Sequence, residues 1–177
     1  MAAREEYRRI VMDTFEQNNC RPGHVIPMRN FRFGMMTRMT HEEQGDFIDS
    51  VNNLIEDGQI TYDNKRPGLD ALRLTQRGYD IIYPPANKVE VAEKLMDMFR
   101  KQHIEAGQII TFRYINFNFF SKLNPKEQDV FEEVCNKLIY AQWIEYKKDG
   151  LECLKLLKRG FDYIYKQQGD LKSVVNG

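Results

Sequence analysis

Three histidines, three cysteines and one Glu-x-Lys triplet are the residues of this chain whose types invite chemistry. His24, His41 and His103 lie far apart and are read as surface or capping groups. Cys20, Cys135 and Cys153 are odd in number and have no C-x-x-C spacing, which points to reduced thiols and away from a disulfide framework or a zinc knuckle. Glu145-Tyr146-Lys147 has the E-x-K form used by some metal-dependent nucleases, but its counterpart earlier in the chain is Thr61-Tyr62-Asp63, which carries no such pair. No phosphate-binding glycine loop, G-x-S-x-G or H-E-x-x-H occurs. The expectation is a protein without catalysis, metal or cofactor.

A different kind of chemistry is offered by TFRYINFNFF, residues 111–120, where aromatics interleave with Arg113 and two asparagines. Such a segment resembles a platform on which single-stranded bases stack, but packed core aromatics give the same pattern. Composition does not decide. The 177 residues are 42% hydrophobic and 12% aromatic, sufficient for real cores, and 26 basic residues balance 26 acidic ones. Attraction to nucleic acid or an anionic membrane must therefore be local. No apolar run approaches the ~18 residues of a membrane span, and the opening MAAREEYRRI lacks the apolar stretch of a signal peptide. A cytoplasmic protein with no membrane association is expected.

The chain is written twice. Met12 to Tyr62 lies over Met96 to Tyr146 without a gap, with 15 identities in 51 pairs, so each residue can be read against its counterpart. Shared residues include Phe15 and Phe99, Gly23 and Gly107, Arg29 and Arg113, Phe33 and Phe117, Phe47 and Phe131, and Tyr62 and Tyr146. After a two-residue shift, ALRLTQRGYDIIY (71–83) lies over CLKLLKRGFDYIY (153–165). The expected organisation is a domain over 1–83, a stiff proline-containing linker over 84–88, a second domain over 89–165 and a polar, frayed tail over 166–177. The counterpart of the aromatic segment is PMRNFRFGMM, residues 27–36, and its apolar positions stay apolar while their identities change. That is what core volume demands, so Phe33 and Phe117 are assigned to the cores with the rest. Tyr114 alone faces a polar counterpart, Asn30, and is the ring expected at the surface.

Each copy opens with apolar residues spaced by four: Tyr7, Val11 and Phe15, then Val91, Leu95 and Phe99. A short β-prone piece follows, then a short helix, then a capping signal, Thr40 with Glu43 or Asn124 with Pro125 and Glu127. The third helix buries Phe47, Val51 and Leu54, matched by Phe131, Cys135 and Leu138, which makes Cys135 a packing residue. Two strands joined by a turn and a last helix complete each copy. The fold class is mainly α with small β-hairpins (α+β), as two tandem winged-helix domains from an internal duplication.

LIEDGQI (54–60) followed by LRLTQRGY (72–79) resembles the winged-helix transcription regulators, including MarR-like and PadR-like proteins. The second copy departs from that pattern at Ala141-Gln142 and at Leu157. The resemblance implies double-stranded DNA as partner, read by the third helix and touched by the wing. Here the third helices begin with His41, Glu42, Glu43, Gln44 and Asp46, and with Lys126, Glu127 and Asp129, an acidity that opposes phosphate. Favourable charge lies beside them: Gln17 to Thr40 and Ala106 to Pro125 contain no acid. The expected DNA-binding residues are Arg29, Arg32, Arg38, Gln44, Arg113, Tyr114 and Lys122, with Lys65, Arg66, Lys147 and Lys148 on the wings and Arg77 and Lys158 at the last helices. The alternative is a protein-interaction scaffold whose partner meets the acidic third-helix faces.

Overall fold

The structure, a computed structural model, describes residues 2–64, 70–148 and 150–177. The chain divides into two units, Met1–Pro84 and Pro85–Gly177. The first holds α1 (Ala2–Gln17), β1 (Val25–Pro27), α2 (Met28–Gly34), a 3-10 turn (Met36–Arg38), α3 (His41–Glu56), β2 (Ile60–Asp63), β3 (Ala71–Leu74) and α4 (Gln76–Ile82). The second repeats that order as α5 (Lys88–Lys101), β4 (Ile109–Thr111), α6 (Phe112–Asn118), a 3-10 turn (Phe120–Lys122), α7 (Pro125–Tyr140), β5 (Ile144–Lys147), β6 (Cys153–Leu156) and α8 (Lys158–Lys166), and adds α9 (Leu171–Asn176). It is an α+β architecture of helices and two small antiparallel sheets.

Local chemistry sets the helix starts. The Thr40 hydroxyl accepts from the Glu43 amide, whose carboxylate in turn accepts from the Thr40 amide at 2.7 Å. Asn124 and Glu127 exchange the same two bonds, each at 3.0 Å, with Pro125 in the first turn. These reciprocal caps satisfy amide donors that have no partner within the helix. At the other end of α3, Gly58 takes a left-handed φ of 69°. Gln142 holds the equivalent place at φ 60°, so the second copy makes the same turn without glycine.

The hairpins are wider than the sequence suggests. Val25–Pro27 pairs antiparallel with β3, giving a three-stranded sheet in the order β1-β3-β2, and β4-β6-β5 repeats it. Tyr62, opposite Leu72, leans towards Asp70, while the Tyr146 hydroxyl donates to Glu152 at 3.1 Å. A tyrosine at the same place in each unit therefore ties the two hairpin strands together. Helices α4 and α8 press on the start of the hairpin through a glycine. A Cβ on Gly78 would lie 2.1 Å from the Gln59 carbonyl oxygen, and one on Gly160 would lie 2.5 Å from that of Trp143.

Each unit has its own core. Val11, Phe15, Phe47, Leu54, Ile60, Leu72 and Leu74 close the first, and Val91, Leu95, Phe99, Phe131, Leu138, Trp143, Ile144 and Leu156 the second. Cys135 is buried among them, and burial pushes its thiol up to about 12, which keeps it protonated. Two expectations need correction. The connection is shorter than residues 84–88, because Asn87 caps a helix that begins at Lys88. The tail is not frayed: Leu171 and Val175 of α9 are buried in the second core, with Asp170 capping the helix. Polar composition hid two apolar residues four apart, the spacing of one helix face.

Candidate functional site

Helices α2 and α6 carry the residues with most to offer a ligand. Each is a short helix with one buried stripe: Met28 and Phe31, with Met35 half-buried beyond, and Ile115 with Phe119, with Phe112 half-buried before them. The opposite face is open. On it Arg29 and Arg113 are exposed and make no ion pair or side-chain hydrogen bond among the described residues. Arg38 and Lys122, at the ends of the following 3-10 turns, are also exposed and unpaired among the described residues, as is Arg77 in the first turn of α4. Four of these five cations form two equivalent pairs, Arg29 with Arg113 and Arg38 with Lys122.

Other expected contacts are engaged within their own unit. Arg32 reaches the Asp70 carboxylate at 3.0 Å and ties α2 to the start of β3. Gln44 donates from its amide to the Met36 and Met39 carbonyls at 3.1 and 3.2 Å, and Gln128 does the same to Phe120 and Leu123. Gln44 is therefore a strut between the 3-10 turn and α3. Lys147 and Lys148 lie 3.9 and 3.7 Å from Glu145 and Glu152, and Lys158 lies 3.4 Å from Asp162. Such exposed pairs hold their partners weakly, about 0–1 kcal/mol. Lys65 and Arg66 lie outside the described residues. Glu145 of the E-x-K triplet stands between Lys147 and Lys155, 3.6 Å from the latter, so its carboxylate is balanced by lysines.

Phe31, Ile115 and Phe119 are buried as expected, but three aromatic positions differ. Tyr114 is half-buried against the second core, lining a groove of about 410 Å³ with Lys94, Lys101 and Lys122. Phe33 and Phe117, assigned to the cores, are instead 77% and 71% exposed. The signal was present in the periodicity: buried positions run 28, 31, 35 and 112, 115, 119, and positions 33 and 117 fall on the far side of both helices.

The acidity of the third helices is partly internal. Arg4 of α1 binds Asp46 and Asp49, both at 2.8 Å, and Lys88 of α5 binds Glu133 at 2.6 Å. Arg4 with Asp49 and Lys88 with Glu133 are equivalent pairs, a repeated tether that sequence reasoning missed. Glu43 is committed to its cap, and hydrogen bonds from Thr40 hold its carboxyl below the ordinary range. Glu127 is buried against Lys94. Glu42, Glu56 and Glu132 remain at the surface.

The chain matches no known family pattern and no curated protein. Among the described residues no helix is long and apolar enough to cross a membrane, and no cluster of His, Cys, Asp and Glu could hold a metal ion.

Proposed function

We propose that the protein is a non-enzymatic nucleic-acid-binding factor, a regulator or accessory in DNA transactions, built from two winged helices that arose by duplication. The order helix, strand, helix, helix and a hairpin closed by a last helix, present in both units, supports this reading. The observation that carries the function is the set of exposed cations, unpaired among the described residues, on equivalent positions, Arg29 with Arg113 and Arg38 with Lys122, in segments without an acid. Cations so placed gain from phosphate what they do not gain from their own fold. The acid-rich starts of α3 and α7 turn the ordinary major-groove mode away from this chain, so contact runs through α2, α6 and the turns after them.

A second reading is a protein-interaction scaffold. It is favoured by the exposed acids of α3 and α7 and by Tyr140, 91% exposed at the end of α7. Fluorescence anisotropy of the full chain with labelled DNA separates the two. The nucleic-acid reading expects micromolar or tighter binding at low salt, abolished by reversing charge at Arg29, Arg38, Arg113 and Lys122 together. Unchanged binding in that variant, or none in the wild type, refutes it.

A further inference from the structure

Phe33 and Phe117 stand one helical turn beyond Arg29 and Arg113, four residues on, about 6 Å along the axis and on the same face. A single exposed phenylalanine is ordinary on a protein surface. A comparison inside the chain sets these two apart. The buried or half-buried positions of the same segments exchange identity: Met28 for Phe112, Phe31 for Ile115, Met35 for Phe119 and Met36 for Phe120. The solvent-facing position keeps its ring. Filling a core tolerates exchange of one apolar volume for another, whereas an exposed ring has no packing to satisfy. Stacking asks for a flat face, which Leu or Met does not supply.

The surroundings of the ring suit a polyanion. Its neighbour is a guanidinium with no partner among the described residues, and the next turn brings Arg38 or Lys122. Between them a hydroxyl, Thr37 or Ser121, donates to the carbonyl of the phenylalanine itself, at 3.5 Å and 2.9 Å. Asp70, the acid that reaches α2, is occupied by Arg32. The patch thus combines an open ring with positive charge that nothing in its own segment neutralises.

Building on the nucleic-acid reading, we propose that α2 and α6 are each a stacking platform for one unpaired base of a single-stranded nucleic acid. Phe33 or Phe117 takes the base face, and Arg29 or Arg113 takes the adjacent phosphate. A duplex hides its base faces within the stack, and a ring held on a helix finds none to meet there. A phenylalanine face accepts every base, so binding is tolerant of sequence.

The test is anisotropy of the full chain with a labelled mixed-sequence single strand of about 20 nucleotides and with the matching duplex. Phe33→Leu with Phe117→Leu keeps apolar bulk and removes the flat face; Phe33→Trp with Phe117→Trp keeps it. The wild type should prefer the single strand. The double leucine variant, which loses both stacked bases, should bind it about 30-fold more weakly or worse, and the tryptophan variant should bind like the wild type. Thermal melting should be unchanged throughout, because both rings are exposed. If the leucine variant binds the single strand like the wild type while charge reversal at Arg29 and Arg113 abolishes binding, the stacking proposal fails and the cation reading stands. If neither probe is bound, both fail.

Discussion

Tyr83 shows how a single group couples this fold to pH. Its hydroxyl donates to the Glu16 carbonyl at 3.1 Å, closing the end of α4 onto the end of α1, and burial pushes its phenol up to about 12 from an ordinary 10.0. The folded chain holds that proton more tightly than the unfolded chain. Its contribution is therefore complete below about pH 10 and is lost as pH rises towards 12. Thermal melting between pH 9 and 12 should show a smaller alkaline loss in Tyr83→Phe than in the wild type; equal losses would contradict this role. Gly78 and Gly160 make a second residue-scale claim, since any Cβ there would strike a carbonyl oxygen. Ala at either position should cost at least about 2 kcal/mol in denaturant titrations, and a neutral result would rule out the close approach. In the sequence both glycines stood within a shared R-G pair, so their pairing was legible. The carbonyls they meet come from a strand start distant in sequence and were not.

At the scale of elements, the two copies form a built-in comparison. Thr75 caps α4: its hydroxyl accepts from the Gly78 amide at 3.0 Å and also lies 2.7 Å from the Gly58 carbonyl. Leu157 holds the same place before α8 and makes no side-chain cap. Thr75→Val should destabilise the first unit by about 1 kcal/mol, measured by urea unfolding, whereas Leu157→Val should not remove a cap; equal costs would deny the cap its role. Helix starts were readable because Thr40 with Glu43 and Asn124 with Glu127 act within one turn. The short strand before α2 was readable as a β-prone piece, but its pairing with β3 was not, because the partner strand is distant in sequence. The exposed faces of α2 and α6 are legible only in angular position, because Phe33 and Phe117 are as apolar as core residues but lie opposite the buried stripe.

For the whole molecule, two units with separate cores make separate predictions. The chain's one tryptophan, Trp143, is buried in the second unit, and its ring lies 3.2 Å from where a Cβ on Gly169 would be, just before α9. Ending the chain at Lys166 removes Leu171 and Val175 from that core. Burial of two such side chains is worth about 3 kcal/mol or more, so urea unfolding followed by Trp143 fluorescence should shift to lower concentration by a corresponding amount. An unchanged midpoint would make α9 a bystander. If Arg29 and Arg113 meet phosphates, both contribute to the salt dependence of binding. The slope of log affinity against log salt should become shallower by about 1.4 on a single strand, or about 1.8 on a duplex, when both arginines are replaced by alanine. A slope identical to that of the wild type would contradict that contact.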